Sequence, residues 1–377
     1  MTDLDSILPL WQELRETGME YVLATVVRVE GSGYRKPGAR MVIAADGRRA
    51  GTISGGCLEG EVARKAFWRT ENGPVVQRYS TNTEDGEVPF GMGCGGVVHL
   101  LLERSHTANP VMERLAARFA ERAPLAIASV LDGEWIGQRA FWPSEDSGLA
   151  VCKNTGIEGL LSELARQGFE AERSFTQDVR IDGEQIVTVG VEWNAARPGL
   201  FVFGAGDDAI PLLRLARQLG WYVAVADGRS HLATRTRFSE ANDVHVLAAG
   251  TLPQFGFKSS DAVVVMTHSL EQDTRILSAV LREEQQYVGV LGPRHRTHEI
   301  LCAVAGEASV APVNVEAQIA RWMERLHAPI GLDLGGNTPA DIALAVIAEI
   351  QQSRHGASGL PLREIRARKA DLRRVSA

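Results

Sequence analysis

The sequence predicts an α/β protein with two domains: a mixed α/β N-terminal domain and a C-terminal domain built on a doubly wound parallel sheet. The chain has 377 residues, which is more than a single hydrophobic core ordinarily serves. Its first half carries hairpin signals between apolar strands, whereas its second half alternates short apolar strands with helical segments. We therefore expect domains at residues 1–195 and 199–352, followed by a basic tail at 353–377.

The N-terminal elements follow from periodicity and turn residues. The segment "LDSILPLWQELRET" has apolar residues at helical spacing, and Gly18 ends the predicted helix. The run "YVLATVVRVE" predicts a strand, and "ARMVIAADGRRAGTIS" predicts a hairpin that turns at Asp46-Gly47. A helix is expected from about Leu58 to Trp68, followed by strands near "VVQRYS" and "GGVVHLLLE".

The C-terminal elements alternate between strand and helix. "GLFVFGAG" predicts a buried strand, "DDAIPLLRLARQLG" a helix and "WYVAVADGR" the next strand. The runs "DVHVL", "DAVVVMTH" and "YVGVLGP" predict further strands. In "TPADIALAVIAEI", Thr338 as N-cap and Asp341 three residues later predict a capping box, with Pro339 at the first helical position.

A glycine turn joins the first C-terminal strand to its helix. Gly204, Gly206 and Ala209 form the pattern G-x-G-x-x-A, and Asp227 ends the next strand. In the Rossmann fold such glycines let the backbone approach a pyrophosphate, and the acid accepts hydrogen bonds from a ribose. We therefore take Gly204, Gly206 and Asp227 as candidate cofactor-binding residues. The two acids that follow the second glycine would repel a diphosphate, so a scaffold without a nucleotide stays an alternative.

Two cysteines lie in glycine-rich surroundings. Cys57 precedes a predicted helix, whose N-terminus favours the thiolate, although Glu59 and Glu61 oppose this effect. Cys94 precedes a strand. The bare backbone around both would let a bulky ligand approach, whereas the alternative is a small buried side chain beside turn glycines. The glycines concerned are Gly55, Gly56, Gly93, Gly95 and Gly96.

A basic glycine loop, "GSGYRKPGAR", lies between the first strand and the hairpin. Its cations are Arg35, Lys36 and Arg40. Arginine and lysine bind phosphate oxygens through charge-assisted hydrogen bonds. The loop therefore contributes three candidate phosphate contacts.

The composition argues against several classes of protein. A formal net charge of −7 does not suit nucleic-acid binding, which needs a basic surface. The N-terminus lacks the features of a signal peptide, and no run approaches the roughly 18 apolar residues of a membrane span. The four cysteines form no C-x-x-C pair, which argues against a zinc ribbon or a thioredoxin-type centre. We expect a cytoplasmic protein with reduced thiols.

Several of these motifs together resemble a known family. "GSGYRKPGARMVI", "GTISGGCLEGEV" and "FGMGCGGVVHLLLE" are similar to the N-terminal domain of the XdhC/CoxI family, within about residues 10–104. "LFVFGAGDDA", "VAVADGR", "YVGVLGPRHR" and "HAPIGLDLGGNTPADIALAVIAEI" resemble its C-terminal Rossmann domain, in the same order. The resemblance covers most of residues 10–352, and the stretch at about 105–195 carries no assignable motif.

The resemblance implies a function. Members of this family are accessory factors for molybdenum hydroxylases such as xanthine dehydrogenase, so this chain would bind the molybdenum cofactor, as molybdopterin or its dinucleotide form. It would shield the cofactor while a cysteine desulfurase supports sulfuration, and then deliver it to the hydroxylase apoenzyme without becoming part of the finished enzyme. In this interpretation Cys57 and Cys94 contact the metal or its transferable sulfur. The pterin phosphate is held by Arg35, Lys36 and Arg40.

One departure from the family concerns the glycine turn. The family usually reads G-x-G-H there, whereas this chain has Asp207, so what that histidine implies is not carried over. A second hypothesis is that the turn and Asp227 hold the nucleotide half of a dinucleotide cofactor. The resemblance also leaves a homodimer open.

Two other functions stay open at this point. An NAD(P)-dependent oxidoreductase would explain the glycine turn but would leave the first half of the chain without a role. The other alternative is a scaffold or partner-binding module in which both domains serve only as surfaces. Nicotinamide reduction would favour the first alternative, and isolation without molybdenum or pterin would favour the second.

Overall fold

The computed structural model describes residues 4–31, 35–56, 58–80, 96–144, 155–181, 185–247, 256–283, 285–308 and 312–365. The chain divides into two compact units, Met1–Arg197 and Pro198–Ala377. We describe each unit by itself.

The N-terminal unit begins with an antiparallel sheet. Its strands are β1 (Tyr21–Glu30), β2 (Arg40–Ala44), β3 (Arg49–Gly51), β4 (Val75–Ser80) and β5 (Val97–Arg104). Within the described residues, their order across the sheet is β3-β2-β1-β5-β4, with antiparallel pairing throughout. The predicted strand "YVLATVVRVE" and the hairpin at Asp46-Gly47 are confirmed. The hairpin turn needs its glycine, because Gly47 has a φ of +90°.

Helices cover both faces of this sheet. Helices α1 (Leu4–Thr17) and α3 (Ser105–Ala120) pack against alternate residues of β1, such as Tyr21 and Leu23. Helix α2 (Glu59–Arg69) packs on the opposite face, against Val22 and its neighbours. Both faces of β1 are buried because successive strand residues point to opposite sides, and here both sides have a helical layer.

A second antiparallel sheet completes the unit. Its strands are β6 (Leu125–Val130), β7 (Arg139–Trp142), β8 (Phe175–Ile181) and β9 (Gln185–Asn194). In the part of the chain described, their order is β7-β6-β9-β8. Helix α4 (Thr155–Glu170) packs on this sheet through Ile157, Leu161, Leu164 and Ala165. These side chains recur at helical spacing and so form one apolar stripe.

The C-terminal unit is a parallel, doubly wound sheet. Its strands are β10 (Gly199–Phe203), β11 (Tyr222–Asp227), β12 (Asp243–Val246), β13 (Ala262–Val265), β14 (Tyr287–Val290) and β15 (Leu326–His327). Across the described sheet the order is β12-β11-β10-β13-β14-β15. This corresponds to the 3-2-1-4-5-6 order of the Rossmann fold, in which the order reverses between the first and fourth strands. The predicted fold class is confirmed.

Helices lie on both faces of the parallel sheet. Helices α5 (Ala209–Gln218) and α9 (Pro339–His355) share one apolar core with it. Helices α6 (Leu270–Val280), α7 (Arg294–Glu307) and α8 (Val315–Arg325) share the other. The predicted capping box of α9 is present: the Asp341 amide donates to Thr338 Oγ1 at 3.3 Å, and the Thr338 amide donates to Asp341 Oδ2 at 3.0 Å. Strand β15 was not predicted, because two residues are too short to show periodicity.

Candidate functional site

The three N-terminal motifs adjoin the same side of the first sheet. The register pairs Val97, at the start of β5, with Glu30 at the end of β1 and with Ser80 at the end of β4. It also pairs Met41, beside the start of β2, with Gly51 at the end of β3. The basic loop and the segment that contains Cys94 therefore adjoin the Glu30 end of β1. The loop that contains Cys57 leaves β3 on the same side, but level with Ala24, six residues before Glu30. Motifs that are far apart in the sequence therefore leave the first sheet on the same side.

Residues 35–40 form the returning part of the basic loop, which we call the basic limb. Lys36 is exposed and Arg35 is partly exposed. The Gly38 amide donates to the Val26 carbonyl at 2.8 Å, and the Ala39 amide donates to the Lys36 carbonyl at 3.2 Å. These bonds place the two cations at the sheet end, where an anion could reach them.

Arg40 occupies a different environment from the other two cations. It is only 2% exposed. Its Nη1 donates to the Gly38 carbonyl at 2.9 Å and its Nη2 donates to Glu192 Oε2 at 2.6 Å. The Arg40 charge is therefore paired inside the protein, and a phosphate would have to displace Glu192 to reach it. The predicted phosphate contact of Arg40 stays a prediction.

Residues 52–56 and 58, which flank Cys57 in the sequence, make up what we call the cysteine loop; Cys57 itself lies outside the described residues. Glu59, in the first turn of α2, folds back over this loop. Its Oε1 accepts hydrogen bonds from Thr52 Oγ1 at 2.6 Å and from the Ser54 amide at 2.9 Å, and its Oε2 accepts from Ser54 Oγ at 2.6 Å. Burial alone would raise the pKa of Glu59, but the bonds from Ser54 and Thr52 outweigh it and lower the pKa to about 2.

The Ser54 hydroxyl completes the cysteine loop. Its Oγ accepts from the Gly56 amide at 3.3 Å and from the Leu58 amide at 3.1 Å, one on each side of Cys57. Gly56 has a φ of +110°, which requires glycine, whereas Gly55 beside it is simply exposed. The sequence indicated Glu59 only as a charge opposing the thiolate. The structure shows that this carboxylate shapes the loop, a role that the spacing of Thr52, Ser54 and Glu59 could have suggested.

Most of the second cysteine motif cannot be placed. Cys94, Gly93 and Gly95 lie outside the described residues. Gly96 is buried immediately before β5. The two cysteines therefore stay predicted ligands.

The glycine turn of the C-terminal unit is tightly closed. Gly204 has a φ of +129°, and a Cβ at this position would lie 2.6 Å from the Met266 carbonyl oxygen. The ends of β10 and β13 therefore approach as closely as the backbone allows, at the point where the strand order reverses. A Cβ at Gly206 would lie 2.4 Å from Asp208 Oδ1. The Asp208 carboxylate thus lies over the glycine that a pyrophosphate would approach.

The Asp227 carboxylate is buried and forms hydrogen bonds within the protein. It is 0% exposed, and its Oδ2 accepts from the Ala205 amide at 2.7 Å and from Arg229 Nη2 at 2.8 Å. Burial alone would raise its pKa, but the bonds from Arg229 and Ala205 outweigh it and lower the pKa. Asp227 therefore braces the glycine turn in this structure, and the predicted ribose contact stays a prediction.

Other acids at this edge are also paired with arginines. The Asp207 side chain is 92% exposed and pairs with Arg237 Nη2 at 2.5 Å. Asp273 is 0% exposed and accepts from Thr267 Oγ1 and from Arg296 Nη2, each at 2.5 Å. The sequence analysis missed Arg229, Arg237 and Arg296 as partners, because ion pairs between separate loops leave no periodic signal.

Two kinds of feature were sought in the described residues and not found. No group of three or more histidine, cysteine, aspartate and glutamate side chains is arranged to hold a metal ion in this part of the chain. No helix there combines the length and apolar character needed to cross a membrane. Cys57 and Cys94 do not belong to the described residues.

Comparison with known proteins matches both units. A model of the XdhC and CoxI family matches residues 14–80, and a model of the XdhC Rossmann domain matches residues 200–350. The chain belongs to the XdhC/CoxI family. The first match spans the basic loop and the cysteine loop, and the second begins in β10 and ends in α9. The motif "FGMGCGGVVHLLLE", which contains Cys94, lies outside both matched ranges.

Named relatives cover nearly the whole of this XdhC/CoxI chain. It is 29% identical to a Bacillus subtilis protein named as a probable xanthine dehydrogenase subunit, over 90% of this chain and 95% of that protein. It is 24% identical to the "Molybdenum cofactor insertion chaperone PaoD" of Escherichia coli, over 93% and 89% respectively. A crystal structure described as a xanthine dehydrogenase from Bacillus halodurans superposes with a TM-score of 0.67, at 25% identity, covering 94% of this chain and 96% of that one.

Proposed function

We propose that this chain is a molybdenum-cofactor-binding accessory chaperone, which stabilises the cofactor for sulfuration and inserts it into a hydroxylase of the xanthine dehydrogenase type. The observation that carries the proposal is the register of the first sheet, from which the chain leaves in the same direction at the basic limb, at the cysteine loop and at the segment containing Cys94. The name of the E. coli relative supports the chaperone role, and the name of the B. subtilis relative supports a link to xanthine dehydrogenase.

The described residues fit the cargo at its phosphate end. Lys36 is exposed and Arg35 is partly exposed, and the backbone of the limb is held by hydrogen bonds at Gly38 and Ala39. We propose that both cations contact a phosphate. When bound, the cofactor supplies the redox-active metal of the client hydroxylase. We assign the phosphate to Arg35 and Lys36, and we place Arg40 behind them as their support.

The cysteine loop fits the sulfur-rich end of the cargo. Thiolates suit soft metal centres, and Glu59 and Ser54 restrict the backbone on both sides of Cys57. One or two thiolates bind reversibly, whereas a closed four-ligand cage would retain its metal. A carrier must release its cargo and therefore needs the reversible binding of one or two thiolates. We propose that Cys57 and Cys94 supply them.

The test is the molybdenum content of protein purified from a molybdate-fed host. Replacing both cysteines, Cys57→Ala with Cys94→Ala, should reduce the moles of molybdenum and pterin per chain severalfold. The matched control replaces the other two cysteines, Cys152→Ala with Cys302→Ala, and should load as the wild type does. Equal loading of the two double variants would contradict the assignment, and an unloaded wild type would contradict the chaperone function.

Delivery and sulfuration need separate tests. A chaperone should separate from the hydroxylase after insertion, whereas a permanent component should stay bound in a fixed ratio, and size-exclusion chromatography of the activated client distinguishes the two. For sulfuration, we propose that the loaded chain associates with a cysteine desulfurase. Unchanged sulfuration of the client when the desulfurase is omitted would contradict this part.

Nucleotide binding in the C-terminal unit is a distinct proposal with less support. The Asp208 carboxylate lies over Gly206, and Asp227 is engaged by Ala205 and Arg229, so neither carboxylate is placed to receive a dinucleotide. Calorimetry with cytidine, adenine and nicotinamide nucleotides tests it. Heat with the cytidine form would favour a dinucleotide cofactor, and heat with NAD(P) would revive the oxidoreductase alternative.

A further inference from the structure

Glu192 touches the basic limb at two points, although it belongs to the other sheet of the N-terminal unit. It lies in β9, and its Oε2 accepts from Arg40 Nη2 at 2.6 Å. Arg40 in turn donates from Nη1 to the Gly38 carbonyl at 2.9 Å. A chain of two charge-assisted bonds therefore runs from β9 to the backbone of the limb.

The second point of contact is Gly38. A Cβ at this position would lie 2.9 Å from Glu192 Oε1 and 3.2 Å from its Cδ, so the carboxylate packs directly on the glycine backbone. Gly38 also has a φ of +96°. Both the conformation and the close approach require glycine here, and the limb rests on the Glu192 carboxylate.

The contact between Arg40 and Glu192 lies beside a small cavity. Glu192 and Arg40 line a small cavity of about 30 Å³ between the two sheets, together with the buried pair Glu103 and Arg139. Within the described residues, Arg40 Nε and Glu192 Oε1 have no protein partner. The cavity has room for a water molecule that could bridge these two atoms. Breaking the pair would leave a buried arginine unpaired, which is strongly unfavourable.

We propose that Glu192 is a positioning residue for the basic limb, which acts through Arg40 and Gly38 to hold Arg35 and Lys36 in the orientation that receives an anionic phosphate. The positioning itself follows from the contacts above. Its consequence for cargo binding rests on the proposed function. In this proposal Arg40 supports the limb and does not bind the phosphate itself. Strand β9 also acquires a role, although the sequence showed no motif there.

The test uses trypsin as a probe of the limb in the full-length protein. Trypsin can cut after Arg35, whereas the bond after Lys36 is protected because Pro37 follows it. Glu192→Gln keeps the side-chain size but removes the charge that holds Arg40. Cleavage between Arg35 and Lys36, followed by mass spectrometry, should become roughly tenfold faster, because cleavage tracks the population of the opened limb. The urea midpoint of the whole protein is measured beside it.

The matched control is Glu163→Gln, which removes a carboxylate from an exposed pair with Arg166 on α4. This variant should be cut at the wild-type rate. Gly38→Ala is the second variant: it leaves both charges in place but pushes the limb off the carboxylate, and should also accelerate cleavage. Both limb variants should lower the urea midpoint, so cleavage is compared without urea, where all the proteins are folded. Faster cleavage after Arg35 with wild-type cleavage rates at the other trypsin sites supports the proposal. Wild-type cleavage rates in folded Glu192→Gln and Gly38→Ala would overturn it.

Loading with cargo is measured separately on the same proteins. Molybdenum content should fall severalfold in Glu192→Gln and stay unchanged in Glu163→Gln. Faster cleavage with wild-type loading would overturn the link between positioning and binding. A wild type that never loads molybdenum would remove the proposed function and leave the cleavage result standing, so the two failures can be distinguished.

Discussion

Charged residues differ in their environment between the first sheet of the N-terminal unit and the parallel sheet of the C-terminal unit. At the N-terminal sheet end, Lys36 is exposed, and buried Arg40 pairs with partly buried Glu192 beside the limb. At the carboxyl end of the parallel sheet, Asp207, Asp227 and Asp273 are each paired with an arginine. The first edge presents cations on a supported loop, whereas the second uses its cations to close its own turns. A glycine turn is therefore weaker evidence for ligand binding than a supported, exposed charge.

The largest effect should come from breaking the buried charges behind the basic limb. Glu103 and Arg139 are 1% and 2% exposed and form an ion pair, and burial, only partly offset by Arg139, raises the pKa of Glu103. Arg139→Met should lower the free energy of unfolding by about 3–5 kcal/mol, because Glu103 would be left buried and unpaired. Urea unfolding checks this. If Arg139→Met lowered the free energy of unfolding no more than the loss of an exposed ion pair does, the Glu103–Arg139 pair would not be buried in solution.

The close approach in the C-terminal turn is the next test. Gly204→Ala combines an unfavourable φ with a clash against the Met266 backbone, and should cost about 3 kcal/mol. Gly47→Ala is the control, since Gly47 also has a positive φ but no atom within 4 Å of the added Cβ, and it should cost about 1 kcal/mol. Equal losses by urea unfolding would mean that the turn is looser than described.

Asp227→Asn sharpens the contrast between a bracing acid and a ligand-binding acid. Removing its charge should destabilise the protein by about 2 kcal/mol, because Arg229 loses its partner. The pKa of Asp227 is lowered in the folded state, so its contribution is present above the unfolded pKa and is lost as the pH falls through the folded one. Urea unfolding from pH 7 down to pH 3 measures this. A variant that lost only nucleotide affinity, at unchanged stability, would reverse our assignment.

The smallest effect concerns the cysteine loop. The folded pKa of Glu59 is about 2, against an ordinary value of 4.5. Its stabilisation should therefore be complete above pH 4.5 and disappear as the pH falls toward 2. Glu59→Gln should cost about 1 kcal/mol at pH 7, a figure reduced because the side chain is partly exposed. The difference in the free energy of unfolding between wild type and Glu59→Gln, measured in urea, should become smaller at pH 3. A difference that did not change with pH would contradict the role of the Glu59 charge.

Much of the fold could be predicted because its signals are local. The strand "YVLATVVRVE", the turn at Asp46-Gly47 and the capping box of Thr338 and Asp341 each depend on residues within one element or one turn. Strand β15 escaped because two residues carry no period. The same limit applies to Glu192, whose importance comes from Arg40, a residue on another sheet.

The sequence alone determined the alternation of elements, the glycine positions and the family, since these are written in local spacing and residue type. Only the tertiary structure decided which charges face solvent. Arg35, Lys36 and Arg40 are equivalent cations in the loop sequence, yet Glu192 draws one of them into the interior. Asp227 stands at the position of a ribose-binding acid, yet Ala205 and Arg229 occupy its oxygens. The reason is that burying a charge costs free energy unless an opposite charge or a hydrogen bond compensates for it. The residue that compensates comes from whichever strand or loop the fold places beside the charge.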